Sequence, residues 1–119
     1  MKKTLVIGAS PNPDRYAYMA TEMLSGFGHA VVPFGIKKGE INGKEILKTF
    51  PSEEEFDTVT LYVNPVLQKQ YEQAILDLHP KRVVFNPGTE NPAFKNRLEQ
   101  NGIQAIEACT LVLLRTHQY

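Results

Sequence analysis

The chain is punctuated by short apolar runs, all but the last of which stop at glycine or asparagine. They are TLVIG at 4–8, AVVPF at 30–34, DTVTLYV at 57–63, RVVF at 82–85 and IQAIE at 103–107. Most of these runs lack strict in-out alternation and are rich in β-branched residues, which suits parallel strands covered on both faces. No other feature restricts the possible folds as much, because parallel strands need long crossovers between them.

The intervening segments read as those crossovers. Tyr16, Ala20, Met23, Leu24 and Phe27 fall on one helical stripe, and Gly26 or Gly28 offers a left-handed stop. Asn64-Pro65 and Asn91-Pro92 are each a capping asparagine followed by proline at the first helical position. The first predicts one amphipathic helix carrying Leu67, Tyr71, Ala74, Ile75 and Leu78, and the second a helix through Leu98 closed by Gly102. Thr110 to Arg115 reads as a last short helix, and Asn42-Gly43 as a type I′ hairpin turn outside the main sheet. Alternating strands and helices with right-handed crossovers give a three-layer, Rossmann-like, doubly wound parallel sheet of about five strands, ordered 2-1-3-4-5. At 119 residues the chain is expected to form a single domain over 1–119.

Charge and composition exclude several function classes. Thirteen basic and thirteen acidic side chains cancel, so no broad cationic field is available for nucleic acid. No apolar stretch approaches the roughly 20 residues of a membrane span, and Lys2-Lys3 is not followed by a signal-peptide core. Cys109 is the only cysteine, which excludes an internal disulfide and fits a reducing, cytoplasmic setting. His29, His79 and His117 are scattered without metal-ligand spacing.

Ligands of doubly wound sheets bind beyond the carboxyl ends of the strands, where the strand order reverses. The loops expected to meet there are GASPNPDR (8–15), GIKK (35–38), Asn64-Pro65 and NPGT (86–89). A helix start after a buried strand offers free amides and a positive dipole end to phosphate. Gly8 permits close approach, Ser10 adds a hydroxyl and Arg15 adds a fixed charge. Glycines are missing from positions 10 and 13, so this is not a dinucleotide fingerprint. The end of the second strand carries Lys37 and Lys38 where an NAD site needs an acid. Two lysines there suit a ribose with an extra phosphate, as in NADP or coenzyme A, and Pro33, Val63 and Pro65 are candidates to line an adenine pocket. Asn86 and Gly88 complete the candidate set from the fourth loop.

In VIGASPNPDRYAY, HAVVPFGIKKGEINGK, LYVNP, VVFNPGTEN and IEAC, taken in this order over almost the whole chain, the sequence resembles the bacterial CoA-binding domain family. These are small stand-alone relatives of the CoA-binding domain in the succinyl-CoA synthetase α-subunit. The resemblance implies non-catalytic binding of coenzyme A or an acyl-CoA. Gly8, Ala9, Ser10 and Arg15 would hold the phosphates, Pro33 and Lys37 would run along the adenosine, and Asn64-Pro65 would face the nucleotide. The chain departs from the family pattern at Gly35-Ile36, at FNPG and at Cys109-Thr110. Those departures bear on the pantetheine end more than on the phosphates.

Two other readings stay open on the residues alone. One is a small NADP-dependent oxidoreductase, against which stands the lack of a proton-donor constellation beyond Tyr16, Tyr18 and Tyr62, with Tyr62 read as core. The other is a protein-interaction module with a vestigial nucleotide site, using the SEEEF loop or the RTHQY tail. A protein partner is possible on any of the three readings.

Overall fold

The computed structural model describes residues 1–119. In chain order the elements are β1 (Thr4–Ile7), α1 (Tyr16–Gly26), β2 (Val31–Phe34), β3 (Glu40–Ile41), β4 (Lys44–Glu45), β5 (Thr58–Leu61), α2 (Pro65–Gln68), α3 (Glu72–Leu78), β6 (Arg82–Phe85), α4 (Pro92–Gln100), β7 (Gln104–Glu107) and α5 (Thr110–Arg115). The main sheet has five strands in the order β2-β1-β5-β6-β7, every pair parallel. This is the doubly wound, Rossmann-like order expected from the sequence. The fully buried β1, β5 and β6 match the apolar runs that announced them, β1 and β5 trimmed to four residues and β6 with the expected bounds.

Strand alternation sends the two faces to different helices. Leu5, Ile7, Val59, Leu61, Val83 and Phe85 point to the face covered by Ile75 of α3 and by Phe94 and Leu98 of α4. Val6 and Val31 point to the opposite face, which is covered by Ala17 and Leu24 of α1 and Leu114 of α5. The α1 stripe is rotated from the sequence expectation. Ala17, Ala20, Thr21 and Leu24 are buried, while Tyr16 and Phe27 stay largely exposed. Small residues on the inner face let the helix lie close to the sheet, and the aromatic rings are left outside.

The helix expected after Asn64-Pro65 is interrupted. Asn64 caps α2 through its side chain, yet the helix stops at Gln68 and resumes at Glu72. Gln68 is fully buried and its amide nitrogen donates to the carbonyls of Val63 (2.9 Å) and Thr89 (2.7 Å). Tyr71 meanwhile turns onto Phe34 and Phe50. These inward bonds outweigh the continuous apolar stripe and leave Leu67 at the surface. Asn42 and Gly43, at φ 54° and 78°, form the expected hairpin between β3 and β4.

Asn86, just past β6, ties the sheet to α5. Its Nδ2 donates to Thr60 Oγ1 (2.6 Å) and to the Leu61 carbonyl (2.8 Å), and its Oδ1 accepts from the Thr110 amide (2.9 Å). At the amino ends of the strands, buried Arg82 donates to Thr58 Oγ1 and to the Tyr119 carbonyl, each at 3.1 Å, beneath the Tyr119 ring. No helix is long and apolar enough to cross a membrane.

Two stability predictions follow from these contacts. Asn86→Ala strands the Leu61 carbonyl and the Thr110 amide in the interior, so urea unfolding should show a loss of about 2–4 kcal/mol. His29 accepts the Lys2 amide at Nδ1, and burial, with the nearby amino terminus, Lys2 and Arg82, lowers its pKa from 6.5. A base favoured neutral in the fold contributes stability that is full above 6.5 and is lost as pH falls through the lowered folded value. His29→Gln should therefore flatten the acid-side slope of the urea midpoint.

Candidate functional site

The chain leaves β1 through Gly8, at φ +97°. A Cβ there would lie 2.9 Å from both the Tyr62 carbonyl oxygen and Val63 Cγ1, so only glycine lets β1 and β5 run side by side at this point. The amides of Gly8 and Ala9 both donate to the Phe34 carbonyl at 3.0 Å. They shape the turn by binding it to β2, and they are not free donors.

Free donors begin further along. Ser10 Oγ accepts from the Asn12 amide (3.2 Å), Asn12 Oδ1 from the Asp14 amide (3.0 Å), and the Asn12 carbonyl from the Arg15 amide (3.1 Å). These bonds fold the loop and leave the Ser10 hydroxyl hydrogen available. Arg15 occupies the N-cap of α1 in extended conformation, with no capping side chain and no acid in the first turn. The amides of Tyr16, Ala17 and Tyr18 consequently have no acceptor within the protein. Uncapped amides at the start of an eleven-residue helix present partial positive charge to an incoming anion.

A cleft of about 340 Å³ opens at this helix start, between the carboxyl ends of β1, β2 and β5. Gly8, Ala9, Ser10 and Arg15 contribute to one side, Gly35, Ile36 and Lys37 to a second, and Tyr62, Val63, Leu67 and Tyr71 to a third. Most of the lining is apolar. Phe34 and Tyr71 meet edge to face at 5.3 Å, and Tyr71 stacks on Phe50 at 6.5 Å, giving the wall a rigid aromatic backing. The charged lining groups are Arg15 and Lys37, with no carboxylate among them. Neither is spent on an ion pair, since the protein's pairs are Lys3–Glu54 (2.9 Å) and Arg97–Glu72 (2.6 Å).

The structure thus brings Gly8, Ala9, Ser10, Arg15 and Lys37 together and sets the other candidates apart. Lys38 is exposed beside Lys37 but outside the lining. Pro33 is buried within β2. Asn64 is exposed and accepts the Leu67 amide (3.0 Å), while Pro65 borders a separate surface groove with Lys69 and Arg97. Asn86 has its side chain committed to the interior, and the Gly88 amide donates to Glu90 Oε1 (2.9 Å) in an exposed turn.

The residues that sequence reasoning left out of the site are mainly its walls: Phe34, Ile36, Tyr62, Leu67 and Tyr71. Ile36 carried a local signal, being an isoleucine between glycine and two lysines, and it is 81% exposed. Tyr62 is half-buried and belongs to the lining, its side chain packed against the core cluster beneath α1 and α5. Its hydroxyl is buried without a hydrogen-bond partner near the bonded Thr60–Thr110 pair, and burial pushes its pKa well above the ordinary phenol value. Cys109, partly buried, stands at the N-cap of α5. No cluster of three His, Cys, Asp or Glu side chains is placed to hold a metal ion.

An uncharacterized protein of known crystal structure is 50% identical over 100% of this chain and 98% of its own, with a TM-score of 0.98. A hypothetical protein from Pyrococcus horikoshii OT3 is 26% identical over 98% of this chain and 82% of its own, with a TM-score of 0.84. The cell-free ID.343 protein from Thermus thermophilus, at 23% identity over 99% of this chain and 91% of its own (TM-score 0.86), shares the fold. No curated protein matches. The family model for the CoA binding domain matches residues 2–115. With a match over nearly its whole length, the chain belongs to the CoA-binding domain family.

Proposed function

We propose that this protein binds coenzyme A or an acyl-CoA in the cleft at the start of α1 and does no chemistry on it. The observation that carries this reading is the pairing of two unneutralised cations, Arg15 and Lys37, with an uncapped helix start in a cleft that holds no carboxylate. In a protein of net charge zero, such a spot is a local anion site and not part of a general field. The pyrophosphate takes the amides of Tyr16 to Tyr18 together with Arg15 and the Ser10 hydroxyl, and Lys37 takes the ribose phosphate. Gly8 and Ala9 act by shape, because their amides already serve Phe34. Apolar walls of the Ile36, Val63 and Tyr71 kind suit the flat adenine better than the charged groups. Pro33, Asn64, Asn86 and Gly88 then support the loops without touching the nucleotide, and Lys38 adds only long-range charge.

A binding role without turnover is supported by the titratable groups in the lining, which are Arg15, Lys37, Tyr62 and Tyr71. Burial keeps the Tyr62 phenol protonated far above neutrality, where it is a poor base. The cleft lies within the usual 300–1,000 Å³ of small-molecule sites, near the low end. It holds the nucleotide part of the ligand and leaves the thiol arm to the exterior, available to a protein partner.

Calorimetric titration with coenzyme A, dephospho-CoA and NADP tests the proposal. Coenzyme A should bind most tightly and raise the melting temperature, as any ligand selective for the folded state does. Arg15→Ala removes a charge-assisted contact and should weaken coenzyme A binding roughly ten- to a hundred-fold, with little change in melting temperature of the free protein. Tighter binding of NADP than of coenzyme A, or an Arg15→Ala variant that binds as well as the parent, would overturn the assignment.

A further inference from the structure

The segment that carries Lys37 is held only at its two ends. Ile36, Lys37 and Lys38 are exposed, and their backbones make no hydrogen bond within the protein. At one end the Gly35 amide donates to the Leu47 carbonyl (3.0 Å), and at the other the Gly39 carbonyl accepts from the Ile46 amide (2.9 Å). Both anchors belong to the stretch just after the β3–β4 hairpin, so the hairpin is the strut on which this loop hangs.

Each end also presses on the phosphate loop. A Cβ on Gly35 would stand 2.3 Å from the Ala9 carbonyl oxygen, and one on Gly39 would stand 2.6 Å from Pro11 Cβ and 3.1 Å from its Cγ. Contacts under about 3 Å do not occur at real Cβ atoms, and the Pro11 ring cannot swing away as a flexible side chain would. The separation between the Lys37 segment and the loop that leads to Arg15 is therefore set by two points of close contact, one with the Ala9 backbone and one with the Pro11 ring.

Resting on the coenzyme A reading above, we infer that Gly39 is a positioning residue for ligand specificity. It fixes how far Lys37 stands from the helix start, and so decides whether a ligand bearing a second, separate phosphate is preferred over one bearing the pyrophosphate alone. Gly39→Ala must push the loop off Pro11, which moves Lys37 while leaving Arg15 and the α1 amides in place. Gly35 makes a poorer probe, because its Cβ would strike the backbone of the phosphate loop at the Ala9 carbonyl, whereas Gly39 meets only the Pro11 ring, which a second substitution can remove.

The experiment compares dissociation constants for coenzyme A and dephospho-CoA in the parent, Gly39→Ala, Lys37→Ala and the double variant Gly39→Ala with Pro11→Gly. Gly39→Ala should lose roughly ten-fold in coenzyme A affinity and under two-fold for dephospho-CoA, so the preference collapses as it does in Lys37→Ala. Removing the Pro11 ring in the double variant should restore part of the preference, the rest staying lost to the strain of alanine at the Gly39 φ of +155°, and such coupling is expected only of residues in contact. Equal weakening toward both ligands with a fallen melting temperature would make Gly39 merely structural and overturn the inference, as would an unchanged preference. A parent protein that binds neither ligand would instead overturn the coenzyme A reading on which the inference stands.

Discussion

Strand β1 is hydrogen-bonded along both edges, to β2 on one side and β5 on the other, and the chain must reach those neighbours by crossovers on opposite faces of the sheet. The connection through α1 serves one face, and the later helices α2 to α4 serve the other. The crossover that leaves β1 through α1 and the one that leaves β5 through α2 and α3 diverge to opposite faces, so neither covers the space between the carboxyl ends of these two strands, and a gap opens there. The cleft, the bare helix start and the loops that frame them exist because of this divergence. The tight contact at Gly8, where β1 passes against the backbone of Tyr62, is its local expression.

The gap is distinguished by its charge as well as by its shape. The chain is neutral as a whole and its other surface charges are mixed, but the cleft gathers two cations and a helix terminus with nothing negative in its lining. Arg15 supplies a planar fork on the first turn, and Lys37 a point charge on the facing loop. They differ in how firmly they are held. Arg15 is fixed at a helix cap by the turns through Asn12, whereas Lys37 depends on a three-residue span without internal bonds. The cleft thus carries one cation on a firmly held element and one on a loosely held span.

Much of the architecture could be read from the residues, because buried parallel strands leave continuous apolar runs and because Asn-Pro and Asn-Gly pairs mark helix starts and a hairpin turn. The strand order and the helix caps at Asn64 and Asn91 appeared as those signals indicate. The part of the cleft built from consecutive residues, Gly8 to Arg15 with Lys37, was legible for the same reason. What escaped was tertiary. Gln68, polar yet fully buried, broke a helix that periodicity made continuous, and nothing local distinguishes it from an exposed glutamine. Asn86 has the look of a loop-end ligand contact, but its three partners lie 24 to 26 residues away, out of reach of any local pattern. The aromatic wall of Phe34, Phe50 and Tyr71 likewise forms only when three distant segments meet.

The outer margin of β2 shows a further effect of the same framework. An unpaired strand at the rim of a sheet invites a neighbouring molecule to add to it. Here Pro33 has no amide to offer, and Leu47 occupies the rim by donating to the Pro33 carbonyl and accepting from Gly35. The opposite rim, β7, is only four residues long and keeps Gln104 and Glu107 exposed. Neither side presents a long, bare row of backbone groups, so crowding many copies together should not set off stacking of sheet upon sheet, even though the interior strands are among the most β-prone segments of the chain.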